Sequence, residues 1–239
     1  MWSICKKELQ QFFSNLTGYI AIILFLLVNG IFLFTLKDGI FDFGFATLEK
    51  FFELAPWILM FLVPAITMRT LSDEFKAGTF EILQTKPISK WQIVLGKYFA
   101  ILIVLLFVIL PTLIYVYTIK NLSVTGSIDS GGITGSYIGL VFLAAVFAAI
   151  GLCCSGFTNN AVVAFLISVF ACLIIYFGFS ALSKLPLFAN GFDYYIEMLG
   201  IDFHYRSISR GVLDSRDLIY LMSVIFLFLL ITVKNLHKK

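Results

Sequence analysis

Long apolar blocks, separated by short polar segments, dominate the pattern of residues along the chain. The blocks hold 15 to 23 residues and show neither alternation nor a one-sided stripe, which is typical of helices surrounded by lipid. About 20 helical residues cross a hydrocarbon core of about 30 Å. The pattern therefore predicts six membrane-spanning helices, near residues 18–36, 54–68, 98–119, 136–154, 160–182 and 217–233.

The second predicted span is the shortest, because Glu53 and Arg69 bracket only fifteen residues. Its helix is expected to begin earlier, or to let these charged side chains reach water by extending toward the interface. It also contains Pro56 and Pro64, each of which removes a backbone donor and bends a helix. Such a bend serves either gating or structure alone.

Residues 1–17 place apolar and polar side chains on opposite sides of a helix. One side carries Trp2, Cys5, Leu9, Phe12, Phe13 and Leu16, and the other Lys6, Lys7, Gln10, Ser14 and Asn15. The pattern predicts an interfacial amphipathic helix, in contact with membrane lipids, before the first span. A short helix docked on the bundle itself would leave the same pattern.

The fourth predicted span is rich in small residues at intervals of about four positions. They are Gly139, Ala144, Ala145, Ala148, Ala149, Gly151 and Ser155. Small side chains allow a neighbouring helix to approach closely. The segment is predicted to be a packing helix, with its partner either in this chain or in a second copy.

Composition agrees with a single all-α transmembrane domain over residues 1–239. Of the 239 residues, 60% are hydrophobic and 13% charged, against roughly 45–50% and about 25% in soluble domains. The net charge of +3 and the absence of a basic face interleaved with aromatic residues argue against nucleic-acid binding. The four cysteines lie mostly in apolar runs without metal-ligand spacing, and are interpreted as small apolar residues.

The distribution of lysine and arginine predicts the orientation. Residues 1–17, 69–97, 155–159 and 234–239 carry ten of the 17 basic residues. Basic residues in short loops favour the cytoplasmic side. Both termini and the 69–97 segment are therefore expected in the cytoplasm, and the 183–216 segment outside it.

Neither catalytic residues nor a metal or cofactor site emerges from the sequence. Gly96-Lys97 lacks the preceding glycines and following Ser/Thr of a phosphate-binding loop, so ATP is not expected to bind there. The spans carry almost no ionisable residues, which argues against proton or sodium coupling. An alternative is a membrane-embedded enzyme using acidic residues and a histidine in segment 186–217, namely Asp193, Glu197, Asp202 and His204. Interfacial anchoring by the surrounding aromatic residues is favoured over it.

The 69–97 segment has the features of a short helix outside the membrane. Gly78 permits a turn, Thr79 is expected to cap the helix, and Glu81 lies in the first turn, where the helix dipole favours an anion. Pro87 is expected to end the helix soon after Thr85. Such a helix is a rigid lever that another protein can move.

The order of residues in this segment resembles the signature of ABC-2 type permeases. The matching positions are Glu74, Gly78, Thr79, Glu81, Leu83, Thr85 and Pro87-Ile88-Ser89, followed by Trp91 to Lys97. A second match runs from Phe203 to Tyr220 around Gly211-Val-Leu-Asp214. The resemblance implies a coupling helix seated on a separate ABC ATPase, which binds the ATP and magnesium, and a second permease chain.

At a finer level the opening residues 1–13 and the length resemble the gliding-motility-associated permeases of Bacteroidota. That resemblance implies a bacterial inner-membrane complex with an auxiliary membrane subunit bearing an extracytoplasmic domain, acting in motility or associated export. A non-transporting membrane anchor for a motility ATPase would use the same lever and remains an alternative.

Overall fold

The computed structural model describes residues 1–35, 47–84, 88–122, 129–185, 192–212 and 214–237. Within these ranges all regular structure is helical, in agreement with the predicted all-α class. The described residues form thirteen α-helices, numbered in chain order: α1 Trp2–Ser14, α2 Leu16–Phe34, α3 Glu49–Thr67, α4 Arg69–Lys76, α5 Thr79–Gln84, α6 Lys90–Ile109, α7 Leu113–Leu122, α8 Ser130–Phe157, α9 Ala161–Leu173, α10 Phe179–Ser183, α11 Asp193–Glu197, α12 Ile201–Ile208 and α13 Ser215–Leu236. A 3-10 turn, Leu110–Thr112, joins α6 to α7, and a π-helical turn, Ile174–Gly178, joins α9 to α10.

Five helical stretches of the described chain are long and apolar enough to cross a membrane, and α1 with α2 forms a sixth candidate that is bent by 70°. The five are Glu49–Lys76, Lys90–Leu122, Ser130–Phe157, Ala161–Ser183 and Ser215–Leu236. Several of these helices are longer than the apolar blocks, because their ends include polar residues. The second predicted span is the clearest case: its helix, α3, begins at Glu49, and the early residues Phe51 and Phe52 are buried in the core.

Helix α8 is the centre of the bundle. In its most apolar 18-residue window, 83% of the residues are buried within the protein. The corresponding share is 28% for Ala161–Ser183 and 33% for Ser215–Leu236. Its glycines allow this packing, since a Cβ on Gly151 would lie 2.1 Å from Thr67 Oγ1 and one on Gly139 would lie 2.5 Å from Ile208. The small-residue face predicted in this span therefore has partners within the same chain.

Helix α1 packs along the first half of α6. Ile4 and Cys5 are buried there, and Gly96 lies against Ile4 and the carbonyl of Met1. Trp2, at the start of the same helix, remains 71% exposed. Of the predicted apolar face, Cys5 is thus docked on the bundle, whereas Trp2 is exposed.

Candidate coupling site

Helices α4 and α5 form a tight hairpin between α3 and α6. Gly78 makes the turn with φ of +68°, a left-handed conformation that side-chain-bearing residues adopt only at a cost. The Gly78 N–H donates to the carbonyl of Phe75 at 3.3 Å, which closes the end of α4. The glycine therefore fixes the angle at which α5 leaves α4.

Aromatic packing holds the two helices of the hairpin together. The rings of Phe75 and Phe80 meet edge to face with centroids 5.0 Å apart, a favoured arrangement for aromatic pairs. Phe80 is buried, and Leu83 at the far end of α5 packs against the core cluster. The hairpin is consequently a packed element rather than a loose connection.

Ser155, at the end of α8, pins the first turn of α4. Its hydroxyl oxygen accepts from the backbone N–H groups of Leu71 and Ser72, both at 3.1 Å, and donates to the carbonyl of Met68 at 3.0 Å. One buried side chain thus satisfies backbone groups at the break between α3 and α4. The hairpin is thereby tied to the central helix.

A buried ion cluster joins the hairpin to α1 and α6. Lys97 of α6, with a side chain only 1% exposed, lies 2.7 Å from Glu8 Oε1 and 3.0 Å from Glu74 Oε1. Its ammonium group also donates to the carbonyl of Thr70 at 2.7 Å, and Lys7 approaches Glu74 at 3.3 Å. Three helices therefore meet at one charged side chain whose acceptors come from α1 and α4.

The start of α6 is anchored in two further ways. Ser89 and Gln92 form a reciprocal capping box, with both hydrogen bonds at 3.3 Å. Lys90 Nζ donates to the carbonyl of Leu236 at 2.5 Å, where the end of α13 favours a cation. The helix that follows the hairpin is therefore held at its first turn.

A family model described as ABC-2 family transporter protein matches residues 2–233. This match covers nearly the whole chain. The chain belongs to the ABC-2 transporter family. Members of this family are multi-pass membrane permease subunits and are not themselves catalytic. The family implies an ABC ATPase as partner in the transporter. A comparison with curated proteins found no significant match.

The positions that the sequence indicated for coupling fall at different places in this ABC-2 permease. Glu74 lies in the ion cluster, Gly78 makes the turn, Glu81 is exposed in the first turn of α5, and Leu83 is half-buried. Thr85 and Pro87 lie outside the described residues, as does the helix end predicted there. The expectation that Thr79 caps α5 was wrong, because Thr79 is already helical and its hydroxyl donates to the carbonyl of Glu74 at 3.4 Å.

Glu8, Lys97 and Ser155 were not among the positions that the sequence indicated for coupling, although Lys97 ends the matching run Trp91 to Lys97. The available signal for Lys97 was its position directly before the apolar run that starts at Tyr98. Ser155 was recognised only as a small residue, and Glu8 only as part of an amphipathic helix. The Lys97–Glu8 contact and the Ser155 contacts with the α3–α4 junction join positions 83 to 89 residues apart in sequence, so local pattern could not show them.

At the other end of the ABC-2 permease, His204 is enclosed by neighbouring groups. Its Nδ1 lies 2.7 Å from Asp217 Oδ1, its Nε2 lies 2.9 Å from the carbonyl of Met198, and Tyr220 stacks on the ring at 4.0 Å. Because a carbonyl only accepts, Nε2 carries a proton. With both nitrogens engaged and only 3% of the residue exposed, this imidazole joins α12 to α13 rather than facing a substrate.

The acidic residues of the same segment are also paired or exposed. Asp202 bonds Arg206, which raises the pKa of that guanidinium, and Glu197 lies 3.7 Å from Arg206. Asp193 is exposed at the start of α11. Among the described residues, no group of three His, Cys, Asp or Glu side chains is placed to hold a metal ion. The four residues of the enzyme alternative do not converge on one cavity in this part of the chain.

The end of α12 is fastened to α3 and α8. The Tyr205 hydroxyl donates to the carbonyl of Phe52 at 2.9 Å, and burial raises the pKa of this phenol. Ser136 of α8 donates to the carbonyl of Ser209 at 2.8 Å. These contacts hold the segment against the helical bundle.

Proposed function

We propose that this chain is the permease subunit of an ATP-driven ABC-2 transporter, moved by a separate ABC ATPase through the α4–α5 hairpin. The observation that carries the proposal is the convergence of the hairpin, α1, α6 and α8 on Lys97 and Ser155. Charge-assisted hydrogen bonds within packed elements transmit displacement because interiors are dense and resist compression.

The exposed tip of the hairpin supports a docking role. Lys76, Ala77, Gly78, Thr79 and Glu81 are all exposed there, next to the buried Phe80. A partner that pushes on this tip would displace α4, which carries Phe75 and Glu74. The motion would then reach α3 directly, α6 through Lys97, and α8 through Ser155.

The remaining parts of the proposal concern the assembly. The excess of basic residues on the hairpin side favours an orientation with the hairpin and both termini in the cytoplasm. The resemblance to gliding-motility permeases implies that the membrane is a bacterial inner membrane. A six-span chain pairs with a second permease chain, identical or related, and ATP with magnesium binds in the partner ATPase. The resemblance of residues 1–13 to gliding-motility permeases supports a role in motility or associated export, with an auxiliary membrane subunit.

Reversing a charge on the hairpin tip tests the proposed docking surface. The chain and its Glu81→Arg variant are each purified from the native host in mild detergent, and the co-purified proteins and their ATPase rate are measured. Asp193→Arg, the same exposed change at the other end of the bundle, is the matched control. We expect Glu81→Arg alone to lose the ATPase, because the reversed charge opposes a matched partner surface.

Membrane yield of all three proteins is measured in parallel. Equal yields with loss confined to Glu81→Arg support docking through the hairpin. ATPase retained by Glu81→Arg, or lost equally in Asp193→Arg, would contradict it. If no nucleotide hydrolase co-purifies with the wild-type chain, the ATP-driven function is overturned. The alternative of a non-transporting anchor for a motility ATPase is then overturned as well.

A further inference from the structure

A cavity of about 350 Å³ lies between α1, α2, α3, α4 and α6, beside the ion cluster. Ligand pockets usually occupy about 300–1,000 Å³, so the volume suits part of a small molecule or one lipid chain. The cavity forms where α1 turns by 70° into α2. Gly18 sets that turn, because a Cβ there would lie 2.7 Å from the Phe12 ring.

The interior of the cavity is apolar and is kept open by small side chains. Ala21, Ala65 and Ala100 line it from three different helices, together with larger residues such as Leu24 and Ile66. Leucine at any of the alanine positions would occupy much of the space. An empty apolar volume between membrane helices forfeits contact energy unless an apolar group fills it.

The mouth of the cavity is polar and carries an unpaired cation. Arg69, Gln11 and Asn15 lie there. Within the described ranges, Arg69 is exposed and its guanidinium has no hydrogen-bond or ion-pair partner. Glu8 also lines the mouth, but Lys97 compensates its carboxylate at 2.7 Å. The Arg69 charge is therefore left over at the mouth of the cavity, which favours binding of an anion.

We propose that this cavity binds one anionic phospholipid, with its phosphate on Arg69 and an acyl chain along Leu24 and Ile66. A guanidinium matches phosphate oxygens through paired hydrogen bonds. A soluble anion would use the mouth and leave the apolar interior empty, whereas a lipid fills both. The lipid would occupy the angle between α1 and α2 and so hold α1 against the bundle. This site does not depend on an ATPase partner.

Native mass spectrometry of the purified full-length chain tests the site, with phosphatidylglycerol and phosphatidylcholine of identical acyl chains added in turn. Arg69→Gln removes the cation. Ala65→Trp places a large side chain at an exposed position that lines the cavity, and Arg216→Gln is the matched control on an exposed arginine of α13. We expect the wild type to retain one phosphatidylglycerol in preference to phosphatidylcholine. Arg69→Gln should bind it about tenfold more weakly, the loss of a charge-assisted contact, and Arg216→Gln should match the wild type.

The other arms separate a lipid site from alternatives. Ala65→Trp should lose the bound lipid, and glycerol 3-phosphate in excess should leave it in place, because the apolar chain contributes to binding. Unchanged selectivity in Arg69→Gln, equal loss in Arg216→Gln, retention in Ala65→Trp or displacement by glycerol 3-phosphate would each overturn the proposal. Thermal unfolding of every variant confirms that losses arise in folded protein.

Discussion

Removing the charge of Lys97 is the most direct test of the ion cluster as a structural junction. Lys97→Met keeps a side chain of similar length and removes the ammonium group that Glu8, Glu74 and the Thr70 carbonyl share within 3.0 Å. Both carboxylates are about seven-eighths buried, with exposures of 13% and 14%. They would remain in the interior without their shared cation.

The expected loss follows from taking the Lys97 ammonium away from Glu8 and leaving Glu74 only its contact with the exposed Lys7 at 3.3 Å. Breaking a buried ion pair by removing one partner costs about 3–5 kcal/mol. For chains of this size each kcal/mol shifts Tm by about 2–4 °C, so Lys97→Met should unfold about 6–20 °C below the wild type. Replacing the whole cluster, as Lys97→Met with Glu8→Gln and Glu74→Gln, should recover most of the loss because no buried charge is then unpaired.

Thiol labelling during heating of the detergent-solubilised chain measures this effect, because all four cysteines are buried in the folded protein. Lys184→Met, on an exposed lysine, is the control and should leave the midpoint within the range of a surface substitution. A Lys97→Met midpoint equal to that of the control would refute the view that the cluster joins three helices. So would a triple variant no more stable than the single one, since the loss would then not come from unpaired charge.

Two further changes probe the contacts of α8. Gly151→Ala places a Cβ 2.1 Å from Thr67 Oγ1, so the Thr67 side chain or α3 must move, at a cost of about 1–3 kcal/mol. Gly131→Ala in the same helix, where the nearest contact is 3.5 Å, should show no such drop in midpoint. Ser155→Ala leaves the backbone groups it bonds without that partner and should cost about 1–3 kcal/mol, whereas the exposed Ser223→Ala should be neutral. Unfolding midpoints check both pairs, and indistinguishable members of either pair would contradict the packing described for α8.

Local pattern along the chain determined the all-helical class and five of the six predicted spans; the sixth corresponds to the bent pair of α1 and α2. A block of apolar residues long enough to cross a bilayer stays helical whatever its neighbours are, because backbone groups in lipid must bond within their own segment. The small residues of the fourth span, Gly151 among them, likewise indicated a packing helix before any partner was known. The turn at Gly78 was also predictable from the sequence, because its left-handed backbone conformation depends on a single residue.

Only the tertiary structure decided which residues meet at the hairpin. Lys97 lies 89 positions from Glu8, and Ser155 lies 83 positions from Ser72. Contacts of this kind depend on the directions in which whole helices cross, and those directions follow from the summed packing of many side chains rather than from any short motif. The cavity beside α1 could not be predicted for the same reason, because it lies between five helices that meet only in the folded protein.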